Sequence, residues 1–326
     1  KKLTFSEDQN FDRNSELTAF DETKSGVKGL VDAGITRVPK IFHSPPDAHE
    51  HDPNLSDDIP VIDLDGIHDP DKRNHAVDEI REACRTWGFF QIVNHGIPVD
   101  FLDRVLEGVR GFFEQDDEVK GKWYTRDLSK TVVYNSNFDL YRADSANWRD
   151  TAYCNMAPIN PNPQHLPPIC REMMVDYSKE AMNLGRLLFN LLSEALRLNP
   201  SHLEEMGCTD GLALLLHYYP SCPEPQKTLG ATKHSDYGFL TVLVQDRIGG
   251  LQVLHRNRWI DVRPVPGALT INVGDFLQLI SNDEFKSSQH RVVANRRGPR
   301  VSVACFFTTG VMPSEKEYGP IEELVS

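Results

Sequence analysis

The sequence predicts a mixed α and β fold: a helical N-terminal half packed on a C-terminal antiparallel β-roll, with one long helix as its backing. Three observations predict it. Apolar residues recur at three- and four-residue steps between positions 76 and 112, which is the period of an amphipathic helix. One uninterrupted helical pattern runs from about Arg171 to Leu198. From Leu212 onward, short β-branched or apolar runs follow one another, separated by Gly- or Asn-containing turns. Short strands at even spacing are the mark of a sandwich or barrel.

Residues 1–58 read as an N-terminal extension with a helix inside Leu17 to Leu30. Its last part, Ser44 to Asp58, is rich in Pro, Asp and His and reads as a linker. Ile59 to Asp63 is a short strand, and Asp69 and Asp71 start a helix with Ala76, Val77, Ile80, Ala83, Cys84 and Trp87 on its apolar stripe. Phe89 to Val93 is the next strand, closed by the turn Asn94-His95-Gly96. Pro98 suits the first turn of a helix that buries Phe101, Leu102, Val105, Val109 and Phe112. Residues 125–168 carry many Asn, Asp and Pro and read as irregular. The long helix buries Tyr177, Ala181, Leu184, Leu188, Leu191, Leu192 and Ala195 before Asn199-Pro200 stops it. The resulting division is 1–58, 59–168, 169–210 for the long helix and its connection, 211–310 for the roll, and 311–326 for the start of a C-terminal segment.

Charge and composition narrow the function. Lys and Arg number 35 against 48 Asp and Glu, a net charge of −13. A polyanionic backbone would be repelled, which argues against nucleic acid. No apolar run approaches ~18 residues, so no membrane span is expected. The first ten residues lack Met and any apolar signal stretch, so a trimmed start is expected. Six cysteines without a CxxC pair read as reduced, mostly buried thiols of a cytoplasmic protein. No heptad run is evident, and the net charge opposes self-association, so a monomer with a small-molecule substrate is expected.

The chemistry concentrates in three short stretches. His234 and Asp236 stand two apart, so in extended chain both point to one face. His290 lies 54 residues beyond Asp236 at the start of another strand. Two imidazoles and a carboxylate leave three positions of a metal open, the facial triad of non-haem Fe(II) oxygenases. A His-x-Asp pair is also common by chance, and the same three residue types suit zinc. Arg300 and Ser302 follow His290 by ten and twelve residues. An arginine fork matches a carboxylate, and burying one without an anion is costly. A surface salt bridge after Gly298-Pro299 is the plain alternative.

Taken together, His234-Ser235-Asp236, His290-Arg291-Val292 and Arg300-Val301-Ser302 resemble the HxD…H…RxS pattern of Fe(II)/2-oxoglutarate-dependent oxygenases. IPVIDL (59–64), WGFFQIVNHGIP (87–98), NWRDT (147–151), HYYPSCPEP (217–225), GFLTVLVQD (238–246), GGLQVL (249–254) and NVGDFLQLISND (272–283) resemble the plant subgroup. Residues 19–42 are similar to the branch called 1-aminocyclopropane-1-carboxylate (ACC) oxidase homologues, whose members act on specialised metabolites. The resemblance spans nearly the whole chain. It implies a double-stranded β-helix, or jelly-roll, core. It also implies Fe(II) on His234, Asp236 and His290, with 2-oxoglutarate on Arg300, Ser302 and Tyr219.

The further implied parts are O2 as oxidant, ascorbate as reductant, and hydroxylation, demethylation or desaturation of a small metabolite. His217 replaces the usual Asn of that tyrosine motif, with a cosubstrate contact or simple space-filling as its two readings. Asn135, Phe138, Tyr237 and Phe307 are pocket residues by family position, with core packing the ordinary alternative for the aromatics. Trp148-Arg149-Asp150 resembles a structural motif on the substrate side, with Arg149 in an internal ion pair. His49-Glu50-His51-Asp52 reads as solvated loop. The family's chain continues some tens of residues past Leu324 into helices that cover the pocket, so Ser326 reads as a truncated end. An ACC oxidase proper, using ascorbate and bicarbonate, shares the iron ligands and the RxS pair. A non-catalytic binder would be expected to have lost one of the five positions.

Overall fold

The computed structural model describes residues 11–45, 50–51, 58–310 and 316–325. The single helix expected over 17–30 is two: α1 (Arg13–Glu22) and α2 (Gly26–Asp32). The break lies at Lys24 and Gly26, both with positive φ. A Cβ at Gly26 would sit 2.3 Å from the Asp150 carboxylate, so the turn exists to let that side chain reach α2. The predicted linker contains β1 (Glu50–His51), while His49 and Asp52 lie outside the described residues.

β2 (Val61–Asp63) precedes α3 (Pro70–Thr86). Asp69 caps α3 by accepting the Asp71 and Lys72 amides, which satisfies donors that the first turn leaves free. β3 (Phe89–Val93) and α4 (Val99–Phe113) follow as predicted, then α5 (Asp117–Lys120). The 125–168 stretch departs from its irregular reading, because it holds β4 (Val132–Asn135) and β5 (Asp150–Ala157). β5 alternates buried and half-buried positions, but its inward residues Ala152, Cys154 and Met156 are too small or soft to advertise a strand.

The backing helix α6 (Arg171–Ala195) leads to α7 (His202–Glu205). Then come β6 (Gly211–Tyr219), β7 (Leu229–His234), β8 (Leu240–Gln245), β9 (Leu251–His255), β10 (Arg258–Asp261) and β11 (Leu269–Val273). α8 (Asp275–Ile280), β12 (His290–Val293) and β13 (Arg300–Thr308) complete the roll.

Two sheets form: an eight-stranded one ordered β2-β3-β11-β8-β13-β6-β5-β4, and a five-stranded one ordered β1-β10-β9-β12-β7. The predicted strand-rich half is thus a jelly roll backed by helices. Alternation assigns each face of the large sheet a separate core. Val301, Val303, Cys305 and Phe307 of β13, with Leu212, Leu214, Leu216 and Tyr218 of β6, pack with residues of α3, α4 and α6. Tyr219, Ala304 and half-buried Phe306 pack instead between the sheets, with Val253 and Val292. A third cluster gathers Leu17, Phe20, Val27 and Phe42 around Trp148. All six cysteines are buried free thiols. Among the described residues no helix is long and apolar enough to cross a membrane.

Candidate metal and cosubstrate centre

His234 closes β7 and His290 opens β12, and these antiparallel strands pair them Cα to Cα. Residues far apart in the chain therefore meet at one register position. Asp236 follows β7 in a loop that is tied down from outside. Its carbonyl accepts the Asp275 amide at 2.7 Å, and the Phe276 amide bonds the Gly238 carbonyl at 3.1 Å. Ligand atoms of His234, Asp236 and His290 all lie within 4.8 Å of one another.

The hydrogen bonds around this trio leave the right atoms free. Thr241 Oγ1 donates to Asp236 Oδ2 at 2.6 Å, and Asn272 Nδ2 donates to it at 2.8 Å. Oδ1 is left facing Nε2 of His290 at 3.5 Å and of His234 at 3.7 Å. His234 Nδ1 lies 2.7 Å from the Thr232 carbonyl, and His290 Nδ1 lies 3.2 Å from that of Ser288. A carbonyl only accepts, so Nδ1 is protonated in both rings and each Nε2 is the nitrogen turned toward Asp236 Oδ1. Such outer bonds are what orient histidine ligands of a metal. The donor set thus fits a divalent ion.

Electrostatics agree. Burial alone would raise the Asp236 carboxyl, but the His290 charge and hydrogen bond hold it well below the usual carboxylate range. Burial would lower His290, and Asp236 outweighs this and raises it. Burial and the His290 charge push His234 down to about 4. Asp236 and His290 are buried while His234 is exposed, so the trio is open on one side.

Arg300 opens β13 and is 1% exposed, which excludes the surface salt bridge. Its Nη2 donates to Gln245 Oε1 at 2.8 Å, and its Nη1 to Ser302 Oγ at 3.1 Å. Its Nε is buried without a partner, and among the described residues no acid pairs with it. The guanidinium lies 4.8 Å over the ring of Tyr219, its register partner on β6. A buried cation without a counter-ion is strongly unfavourable. The space between the sheets is therefore built for an anion.

Comparison with known proteins decides the family. The 2OG-Fe(II) oxygenase superfamily matches residues 211–309, and the N-terminal family described as non-haem dioxygenase in morphine synthesis matches 59–171. The chain is 57% identical to 1-aminocyclopropane-1-carboxylate oxidase homolog 1 of Arabidopsis thaliana, over 97% of this chain and 87% of the relative. The chain belongs to the 2OG-Fe(II) oxygenases, in their plant ACC oxidase homologue branch. A Solanum lycopersicum member of that branch is 52% identical, over 98% of this chain and 89% of its own. The crystal structure of JOX2 in complex with 2OG, Fe and JA superposes with a TM-score of 0.79 at 32% identity, covering 92% of this chain and 87% of that one. The protein is accordingly an iron- and 2-oxoglutarate-dependent dioxygenase.

The oxygenase places its remaining predicted residues unevenly. Pairing aligns Asn135, Thr151, His217, Ser302 and Gln245 in one row across five strands. His217 is buried in that row, with Nδ1 3.0 Å from Thr151 Oγ1. Burial, then the charges of Arg149 and Arg300, push it well below its ordinary value, so it is neutral. Asn135 is buried and donates to the Thr125 carbonyl at 3.3 Å. Phe138 and Tyr237 are exposed.

Phe307 is not a pocket residue: it is fully buried on the helix side of β13, edge-on to Phe189 and against Gly185 of α6. Alternation puts Phe306 on the inter-sheet face instead. The ion pair expected of Arg149 is absent among the described residues, and its Nε is buried without a partner. Thr241, Asn272 and Gln245 were missed. Their signal was a polar residue at an inward position of an apolar run, in FLTVLVQD and ALTINV.

Proposed function

We propose that the oxygenase binds Fe(II) through His234, Asp236 and His290, anchors the far carboxylate of 2-oxoglutarate on Arg300, Ser302 and Tyr219, and hydroxylates a small plant specialised metabolite such as an alkaloid, steroid glycoside or phenolic. Demethylation and desaturation are the variant outcomes of the same chemistry. The observation that carries this reading is the buried guanidinium of Arg300, without an acid among the described residues, in the sandwich whose strands also bring the His-Asp-His trio together. JOX2 has been solved with 2OG, Fe and JA, and AtDAO1 of Arabidopsis thaliana with 2-oxoglutarate.

Bound iron with its cosubstrate supplies O2 activation coupled to release of CO2 and succinate. The chain's own residues supply placement and exclusion of water. Thr241 and Asn272 hold Asp236 Oδ2, which fixes Oδ1 toward the two imidazoles. Thr232 and Ser288 carbonyls hold the Nδ1 protons and so fix both ring planes. Gln245 and Ser302 hold the Arg300 fork in one orientation before any ligand arrives, which spares ordering cost on binding. His217, neutral and bonded to Thr151, stands beside Ser302 in the row and offers its Nε2 side to the cosubstrate.

The test supplies Fe(II), O2, ascorbate and a metabolite panel, with and without 2-oxoglutarate, and measures succinate and ethylene. Succinate rising with a product 16 Da heavier, and lost in Asp236→Ala, supports the reading. Ethylene formed from the cyclic amino acid without 2-oxoglutarate would replace it with an ACC oxidase.

A further inference from the structure

Residues 147–150 are pinned at three of their four side chains. Asn147 Oδ1 accepts the Thr232 amide at 2.8 Å, which ties the segment to β7. Trp148 is fully buried, edge-on to Phe42 at 5.2 Å. Asp150 is fully buried and accepts the Val27 and Lys28 amides at 2.8 Å each. Arg149 is the exception. Among the described residues its guanidinium makes no hydrogen bond and no ion pair, although its Nε is buried. Leaving such a donor unsatisfied costs free energy that a ligand would recover.

Two observations fix where this group faces. Alternation along the chain puts Arg149 on the face of Thr151, whose hydroxyl meets His217. Asn147, two residues before Arg149, accepts the amide of Thr232, which stands two residues before His234 on β7. The guanidinium therefore looks into the space beside the exposed edge of the trio, while Arg300 sits separately between the sheets. Tyr153, half-buried on the same face of β5, adds an aromatic wall. One cation is read as the cosubstrate anchor, and the second has no partner among the described residues.

We propose that Arg149 binds a carboxylate of the primary substrate, which makes that substrate an organic acid. This rests on the reading above that the chain is an oxygenase of a small metabolite, and it narrows that metabolite to one that carries a carboxylate and meets the trio on its open side at His234. The rigid anchoring of Asn147, Trp148 and Asp150 presents the fork in one place, as recognition of a planar carboxylate requires.

The test uses the full chain with Zn(II) in place of iron and saturating 2-oxoglutarate. The probes are phenylacetate, cinnamate and octanoate, each paired with its methyl ester and followed by saturation-transfer NMR. Wild type should prefer at least one acid over its ester by roughly tenfold or more, the order expected of a charge-assisted fork. Arg149→Gln should erase that preference, Arg149→Lys should keep part of it, and both should bind 2-oxoglutarate within about twofold of wild type by calorimetry. Circular dichroism checks that both variants fold. Acids that bind no better than their esters to wild type overturn the proposal. So does an acid preference that survives in Arg149→Gln, or a loss there of 2-oxoglutarate affinity in its place. Failure of wild type to bind 2-oxoglutarate would instead strike the functional reading on which the proposal rests.

Discussion

The two faces of the large sheet are made by the same strands and have opposite characters. Toward the helices, β6 and β13 present Leu212, Leu214, Leu216, Tyr218, Val301, Val303, Cys305 and Phe307. Toward the small sheet they present His217, Tyr219, Arg300 and Ser302, with Thr151 and Gln245 beside them. The first face is satisfied by the protein itself, since apolar burial needs no further partner. The second buries a guanidinium, an imidazole and hydroxyls, and its Arg300 Nε bonds nothing among the described residues. One register therefore separates stability from function: moving a residue one place along β13 changes what it does.

The largest expected effect comes from the functional face. Arg300→Lys keeps the charge but loses the fork that Gln245 and Ser302 hold in place. The 2-oxoglutarate KM should rise by about 10- to 100-fold, the order expected for a lost charge-assisted bond. The unfolding midpoint should barely move. Steady-state kinetics on succinate release check this, and an unchanged KM would show that the anion is held elsewhere.

The adjacent pair Phe306 and Phe307 divides the comparison most finely. Phe307 is fully buried and sits against Gly185, where an added Cβ would come within 2.1 Å of its ring. Phe307→Ala should cost about 3–5 kcal/mol of stability, the range for a large aromatic removed from a core, with the 2-oxoglutarate KM unchanged. Phe306→Ala, half-buried on the other face, should cost less than about 2 kcal/mol and alter substrate turnover instead. Urea unfolding of both variants measures the split. Equal destabilisation would mean that the two faces are not functionally distinct.

The same contrast explains what could be read from the chain. The helix-side core was legible because its period repeats over many residues, as in Ala76, Val77, Ile80 and Ala83 or Leu184, Leu188 and Leu191. The trio and Arg300 were legible because His and Asp two apart, and Arg and Ser two apart, share a strand face. β4 and β5 were not, because their segment is full of turn-forming residues, β4 is only four residues long, and the inward side chains of β5 are small or soft. Phe307 was misplaced by family position, and counting by twos from Arg300 would have sent it to the helices. The freedom of Arg149 had no signal at all, since an unmet donor is a property of everything around it.

Asp150 breaks the rule of the two faces and offers the last test. It begins β5 on the helix-side alternation, yet it is a carboxylate and fully buried. Burial pushes its pKa up from 3.8 to about 6, only partly opposed by the Lys28 and Val27 amides that bond it. The folded protein thus holds this proton more tightly than the unfolded chain does. Its contribution to stability is fully present below the unfolded value near 3.8 and is lost as pH rises through about 6. At about 1.4 kcal/mol per unit, that loss is on the order of 3 kcal/mol. Asp150→Asn cannot ionise, so its stability carries no such slope. It does lose one acceptor for the α2 amides, but that penalty is the same at every pH and cancels in the comparison. Relative to wild type, the variant should therefore gain on the order of 2–3 kcal/mol between pH 4 and 7.5 in urea unfolding. A difference that stays flat across this window would mean that the two amide bonds offset the burial of the charge. Asp150 would then be a satisfied anion like Asp236, held by hydrogen bonds on a face otherwise given to packing.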